Sequence, residues 1–410
     1  MHSLKRSVLK LLKSSTKPNH NFSRPRVFVW KICNRSQTNK SCSDDPYVID
    51  LRSDTLTKPT DAMRMAMAKA TVGDDVFNED PTVHELQNMM AQMLDMEAAL
   101  YVPSGTMGNL ISVLCHCNRR GMEVVAGHKG HLVMYEQGGV AQLGGVMPMT
   151  IPNKDDGTFD LNQLAEYIRP TDDPHQPHTG LITVENTHCN CGGKVLPLKY
   201  LAELREKANS WRVPIHMDGA RLLNAAVALD VEPKKIVSYV DSVSVCLSKG
   251  VGAPIGSVIV GSKQFIAQAL RLRKVLGGGW RQAGHLAAAA IVALSSYKQH
   301  LAQDHKHAKM FVRGVMENHN NIIDIDITGV HTNIVMIDIL KPGLTAEQFC
   351  QRLKTVTEQE FTDIKDKVVV LSMPLTKFKL RIVMCSNHNT EDVRLAIKKV
   401  QYVLHELVKK

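Results

Sequence analysis

The 410 residues, 44% hydrophobic and 22% charged, suffice for a sizeable core and fit a globular chain with one large and one smaller domain. A net charge of +10 would suit a nucleic-acid or membrane partner were it spread over the fold, but ten Lys and Arg and no acid fall within residues 1–43. The remainder carries 40 charges of each sign, which excludes an electrostatic footprint for nucleic acid, and nine scattered cysteines exclude a disulfide framework.

In the leader, 1–43, Leu4, Val8, Leu11 and Leu12 recur at helical spacing opposite Arg6, Lys10 and Lys13, in a serine-rich stretch without acids. That is the composition of a mitochondrial transit peptide; a disordered basic leader on a cytoplasmic protein is the alternative. No long apolar run suits secretion, and LAAAAIVAL at 286–294 falls short of the roughly 18 residues of a membrane span.

A large domain is expected over 44–300. PSGTMGNLISVL at 103–114 opens with Ser104, Gly105 and Thr106 and runs into an amphipathic helix. The free N–H groups and dipole of such a helix start favour a phosphate, although Ser104 could equally be a plain N-cap. CHC at 115–117 and CNC at 189–191 lack the C-x2-C spacing of zinc sites and read as small buried hydrophobes, so no metal is expected. GHKGHLVMYEQGGVAQLGG at 127–145 gathers His128, His131, Tyr135 and Glu136 among glycines. A lone histidine is more often structural than catalytic, but beside a cofactor ring His131 could stack.

Helical segments at 161–168 and 198–208 alternate with strand-like runs at 181–185, 213–218, 241–247 and 256–261. Alternation predicts an α/β fold with a mainly parallel sheet covered on both faces, whose ligands bind at the carboxyl ends of the strands. Asp218 and Lys249 fall there. Beyond 301, strands at 332–339 and 367–372 and helices at 345–356 and 390–408 predict a smaller α+β domain closing the chain at 410.

Lys249 is the odd residue, because a buried unpaired ammonium is costly. Gly250, Gly252 and Gly256 follow it and would let a flat ligand or a neighbouring backbone approach. A solvated loop lysine is the plain alternative; a nucleotide loop is not, because its glycines precede the lysine. An amine and an acid on neighbouring strand tips are what pyridoxal 5'-phosphate requires, one for the Schiff base and one to keep the pyridine nitrogen protonated. Arg221, three residues after Asp218, adds a positive group nearby.

The runs RSDTLTKPT (52–60), GDDVFNEDPTV (73–83), PSGTMGN (103–109), HLVMYEQGG (131–139), ENTHCNCGGKVLP (185–197), HMDGARLLNA (216–225), LSKGVGAPIGS (247–257) and LGGGWRQAG (276–284) resemble the low-specificity L-threonine aldolases. These have the aspartate-aminotransferase fold, fold type I of the pyridoxal-phosphate enzymes. The resemblance implies cleavage of L-threonine or L-allo-threonine to glycine and acetaldehyde. It implies that Lys249 bonds the cofactor, that Asp218 pairs with its ring nitrogen, that Ser104, Gly105 and Thr106 surround its phosphate and that His131 stacks on its ring. Arg221, Arg381 and Ser53 would lie near the substrate carboxylate, and His188 would reach the β-hydroxyl, with His131 as the competing base. Arg281 would meet the phosphate of a neighbouring subunit in a dimer of dimers. Phe77, Trp280 and the pair Met384-Cys385 depart from the family's usual Tyr, Met and Thr-His. A β-eliminating lyase, an aminotransferase, or a silent family member acting as a binding protein would share the same lysine and aspartate.

Overall fold

The computed structural model describes residues 45–169, 173–317 and 321–409, so the expected leader lies outside the described residues. In chain order the strands are β1 (Tyr47–Asp50), β2 (Ala98–Val102), β3 (Met122–Gly127), β4 (Met147–Ile151), β5 (His178–Glu185), β6 (Ile215–Asp218), β7 (Ser242–Cys246), β8 (Ser257–Gly261), β9 (Ile323–Asp324), β10 (Ile334–Ile339), β11 (Val368–Leu371), β12 (Met373–Pro374) and β13 (Lys379–Val383). Seven of them form one sheet in the order β2-β8-β7-β6-β5-β3-β4.

Connection length sets strand direction. Parallel neighbours need a crossover, and the helix Leu198–Trp211 supplies it between β5 and β6, as Leu222–Leu229 and Pro233–Val237 do between β6 and β7. The link from β7 to β8 is too short for a helix, so β8 turns back and lies antiparallel to both its neighbours, β7 and β2. Strands β3, β6, β7 and β8 are buried along their whole length, as the continuous apolar runs of a sheet covered on both faces require.

Lys249 sits in that tight β7–β8 link. Gly252 and Gly256 adopt φ of +93° and +99°, left-handed values that strain any other residue. The sequence reading gave these glycines to a ligand or a backbone, whereas the structure fills their space with side chains. A Cβ on Gly256 would come within 2.4 Å of the Tyr101 ring, and one on Gly250 within 2.7 Å of Leu301. Tyr101 is pinned by stacking on Trp280, centroids 5.0 Å apart. The glycines therefore shape the lysine's loop by letting protein close around it.

A second apolar core gathers Phe311, Phe349, Val370, Ile382 and Val400 with Ile49 and Leu51. It packs around a four-stranded antiparallel sheet, β12-β13-β10-β9, and the parallel pair β1-β11. The sequence reading counted residues 47–51 within the large domain, 44–300; pairing of Tyr47–Asp50 with Val368–Leu371 draws them to the other core. The helix Tyr297–Met316 contributes Leu301 to the first core and Phe311 to the second, and the described residues hold together as one compact unit. No helix among the described residues is long and apolar enough to cross a membrane. The seven described cysteines are free and buried.

Candidate active site

β6 and β7 are neighbours in register, so Asp218 at the tip of β6 and the Lys249 loop after β7 meet at the same carboxyl edge of the sheet. Burial works against the Lys249 ammonium and Arg221 repels it. Cys246, Asp218 and Asp54 outweigh both and hold its pKa above the ordinary lysine value. The amine thus keeps its proton where burial alone would strip it, because acids face it from two elements. Thr57 Oγ1 donates to the Lys249 carbonyl at 3.1 Å and fixes the loop from the other side.

Asp218 is buried and holds its own turn by accepting from the Ala220 N–H at 3.1 Å. Its other oxygen accepts from Asn109 Nδ2 at 2.9 Å, and the same amide nitrogen donates to Glu136 at 2.8 Å. Glu136 in turn meets His131 Nδ1 at 2.8 Å. His131, Glu136 and Asp218 can each place a ligand atom within 4.8 Å of the others. The hydrogen bond to Glu136 raises the His131 pKa against the effect of burial. Burial, and then the Asp218 charge, push the Glu136 carboxyl above the usual carboxylate range, against its hydrogen bonds from His131 and Asn109. The imidazole is therefore held from behind by a carboxylate, within electrostatic reach of Asp218 and Lys249.

The helix Gly105–His116 points its N-terminus at this edge. Ser104 is its N-cap and accepts from the Met107 N–H at 3.2 Å, which leaves the N–H groups of Gly105 and Thr106 without intrahelical partners. A Cβ on Gly105 would lie 2.6 Å from Cys246 Sγ, so only glycine allows the helix to start this close to the tip of β7. Such a terminus attracts an anion.

The cationic side of the site differs from the sequence reading. Arg221 is no free clamp: its Nε and Nη2 donate to Asp54 Oδ2 and Oδ1 at 2.9 and 2.7 Å, both groups fully buried. Asn333 also donates to Asp54, at 3.2 Å. Arg381 reaches the same region from β13 and donates to Cys189 Sγ at 3.1 Å and to the Arg52 carbonyl at 3.2 Å, while its Nε has no partner. Ser53 caps the short turn Asp54–Leu56, its Oγ accepting from the Thr55 N–H and hydroxyl. His188 is buried with Nδ1 unpartnered. Arg281 stands apart, exposed and paired with Asp74 at 3.3 Å. Sequence reasoning thus names residues that this fold brings together, Arg281 excepted within one chain.

Four contributors were missed. Glu185 ends β5 directly opposite Asp218 in register, and its two oxygens accept from the His131 and Cys189 N–H groups at 2.8 Å each. The strand-tip rule that singled out Asp218 applies equally to it. Asn109 lies one helical turn beyond Gly105, on the face that the glycines mark as close to the sheet. Asp54 follows Ser53 in the quoted run, but nothing local shows that an acid there is buried under Arg221. Cys189 lies in the CNC pair, which reads as apolar filler until Arg381 is seen against it.

The donor set suits a phosphorylated pyridine aldehyde: an amine, an acid on the adjoining strand, an imidazole beside them and free N–H groups at a helix start. Glu136, His188 and Arg381 each keep a buried polar atom without a protein partner, as a site for a polar ligand does. Fold and site together define a fold type I α/β enzyme, and the family model of the beta-eliminating lyases matches residues 50–341. Two solved structures share the architecture. Leishmania major threonine aldolase has a TM-score of 0.70 at 16% identity over 87% of this chain and 99% of its own. SPT with its PLP internal aldimine has a TM-score of 0.64 at 18% identity over 88% of each chain. Within that class the chain belongs to the low-specificity L-threonine aldolase family. Low-specificity L-threonine aldolase 1 of Arabidopsis thaliana is 50% identical over 308 residues, covering 75% of this chain and 86% of the relative.

Proposed function

We propose that this chain is a pyridoxal-phosphate-dependent aldolase that cleaves L-threonine and L-allo-threonine to glycine and acetaldehyde. The observation that carries the reading is the meeting of Lys249, Asp218 and His131 at one sheet edge, in a chain half identical to a threonine aldolase. Lys249 would bond the cofactor aldehyde, Asp218 would accept from its ring nitrogen, His131 would cover its face, and the helix start at Ser104, Gly105 and Thr106 would take its phosphate. When bound, the cofactor supplies an electron sink for the pair released as the Cα–Cβ bond breaks.

The side chains do the rest. Arg381, through its unpartnered Nε, and Ser53 would anchor the substrate carboxylate, with Arg221 adding charge from behind its Asp54 partner. Anchoring decides which bond at Cα faces the ring, and orientation of that kind is worth many orders of magnitude in rate. His188 would take the β-hydroxyl proton at Nδ1, which no protein group occupies, with His131 as its competitor. Incubation with L-threonine and no keto acid is expected to release acetaldehyde; turnover that depends on an added keto acid would instead make the chain an aminotransferase. Asp218→Asn is expected to keep the cofactor bound and to lower turnover at least about tenfold, as loss of one charge-assisted hydrogen bond to the reacting group does. A spectrum and a rate measured on one sample check both halves of that expectation.

The same reading extends to the whole protein. The large domain spans 44–300, apart from the strand Tyr47–Asp50 and Leu51, which pack into the core of the small one at 301–410. The basic leader directs the chain to mitochondria, where it serves threonine catabolism and glycine biosynthesis. The protein is a homotetramer built as a dimer of dimers, in which the exposed Arg281 serves the phosphate of an adjoining subunit.

A further inference from the structure

Behind Asp218 runs a line of polar groups that the reaction itself does not use. Asn109, buried, offers both amide hydrogens to carboxylates, Glu136 at 2.8 Å and Asp218 at 2.9 Å. That fixes the amide's orientation, because turning it over would set its oxygen against two acids. Its Oδ1 then faces His216 Nε2 at 3.3 Å, so Nε2 must carry the hydrogen. His216 is wholly buried and stays neutral, burial and the neighbouring His116 driving its pKa down to about 3. Its Nδ1 is therefore an acceptor, and the Ser242 hydroxyl donates to it at 2.9 Å. Ser242 Oγ is left to accept from His116 Nε2 at 2.8 Å, and His116, stacked on Phe265, is also held neutral, with a pKa of about 4, mainly by burial.

Every hydrogen in the line His116, Ser242, His216, Asn109 thus points toward Asp218 and Glu136. No cation stands in it. The aligned dipoles of the line orient the two carboxylates from behind, while the charge that faces Asp218 from the open side is the Lys249 ammonium. Asn109 also ties two functions together, since Glu136 on the other branch aims the His131 imidazole.

We propose that Asn109 is a positioning residue that sets the ring-nitrogen acid and the ring-covering imidazole as one unit, its amide locked by the hydrogen-bonded His216–Ser242–His116 line. The inference rests on Asp218 serving the cofactor's ring nitrogen. In the full chain, Asn109→Leu keeps the side chain's size and removes both donors. Its dissociation constant for pyridoxal phosphate is expected to rise roughly tenfold to a hundredfold, the range for losing a hydrogen bond to a charged group. With ring-15N-labelled cofactor, the nitrogen resonance is expected to move from the protonated toward the unprotonated position. His216→Phe, one step further out, should move both readouts in the same direction by a few-fold, and it decides the matter should Asn109→Leu fail to fold. In an Asp218→Asn background Asn109→Leu should add nothing to the nitrogen shift, which a general packing defect would not reproduce. A folded Asn109→Leu protein, or failing that a folded His216→Phe protein, with the parent's dissociation constant and nitrogen shift would overturn the inference and leave the aldolase reading intact. An unprotonated ring nitrogen in the parent would instead remove the reading beneath it.

Discussion

Lys249→Ala is expected to leave a folded chain that gives no visible absorption band with pyridoxal phosphate and cleaves L-threonine slower by several orders of magnitude. Lys249 supplies the primary amine that the site offers for an imine with the cofactor aldehyde, and loss of a covalent catalyst is not made up by its neighbours. The electrostatics add a second, finer expectation. Burial opposes the Lys249 charge, but Cys246, Asp218 and Asp54 hold its pKa above the ordinary value, so the neutral amine is scarce in the cofactor-free protein at neutral pH. Because only the neutral amine attacks an aldehyde, the rate of cofactor uptake should climb with pH and still be climbing at about pH 10. A rate that levels off near pH 7 would show that the amine sheds its proton unaided. A yellow, active Lys249→Ala protein would end the proposed chemistry altogether.

Asp54→Ala is expected to be the most damaging change away from the lysine, costing about 3–5 kcal/mol, the range for stripping one partner from a buried ion pair. It leaves the wholly buried Arg221 guanidinium with no acid against its Nε and Nη2. The substrate side should suffer too, because Arg221 would be free to swing and KM for L-threonine should rise. The pair also predicts a pH signature. Burial raises the Asp54 pKa, but the Arg221 charge and hydrogen bonds, with Lys249 and Asn333, bring it down to about 2 from 3.8. A carboxyl depressed in the folded state adds stability that is complete above its unfolded pKa and is lost as pH falls toward the folded one. The parent should therefore lose about 2 kcal/mol between roughly pH 4 and pH 2 through this group. Chemical denaturation of parent and Asp54→Asn at pH 5 and at pH 2.5 measures it: the parent's fall should exceed the variant's, and equal falls would contradict the linkage.

Much of this was legible in the chain. Runs such as SVSVC and SVIVG announce buried strands, and two strand-tip residues of opposite charge, Asp218 and Lys249, stand out by position alone. The aldolase-like motifs fix the fold and most of the pocket. What stayed hidden depends on pairing between distant residues. That Asp54 neutralises Arg221 involves a separation of 167 positions, and that Cys189 lies under Arg381 involves 192. Residues 47–50 count with the large domain in the sequence until their pairing with Val368–Leu371 is seen. The neutrality of His216 follows from how completely the fold covers it, and no spacing rule carries that information.

That early strand has a bearing on how the enzyme matures. Leu51 donates its N–H to the Leu371 carbonyl and accepts from the Val383 N–H, both at 2.8 Å, immediately ahead of Ser53 and Asp54. One wall of the catalytic pocket is thus sewn to strands that follow the whole seven-stranded sheet in the chain. A nascent or truncated chain that stops short of residue 368 could fold its seven-stranded sheet and still lack that wall, and pairing over so long a loop is slow. Competence should appear only once those later strands are made, late and all at once.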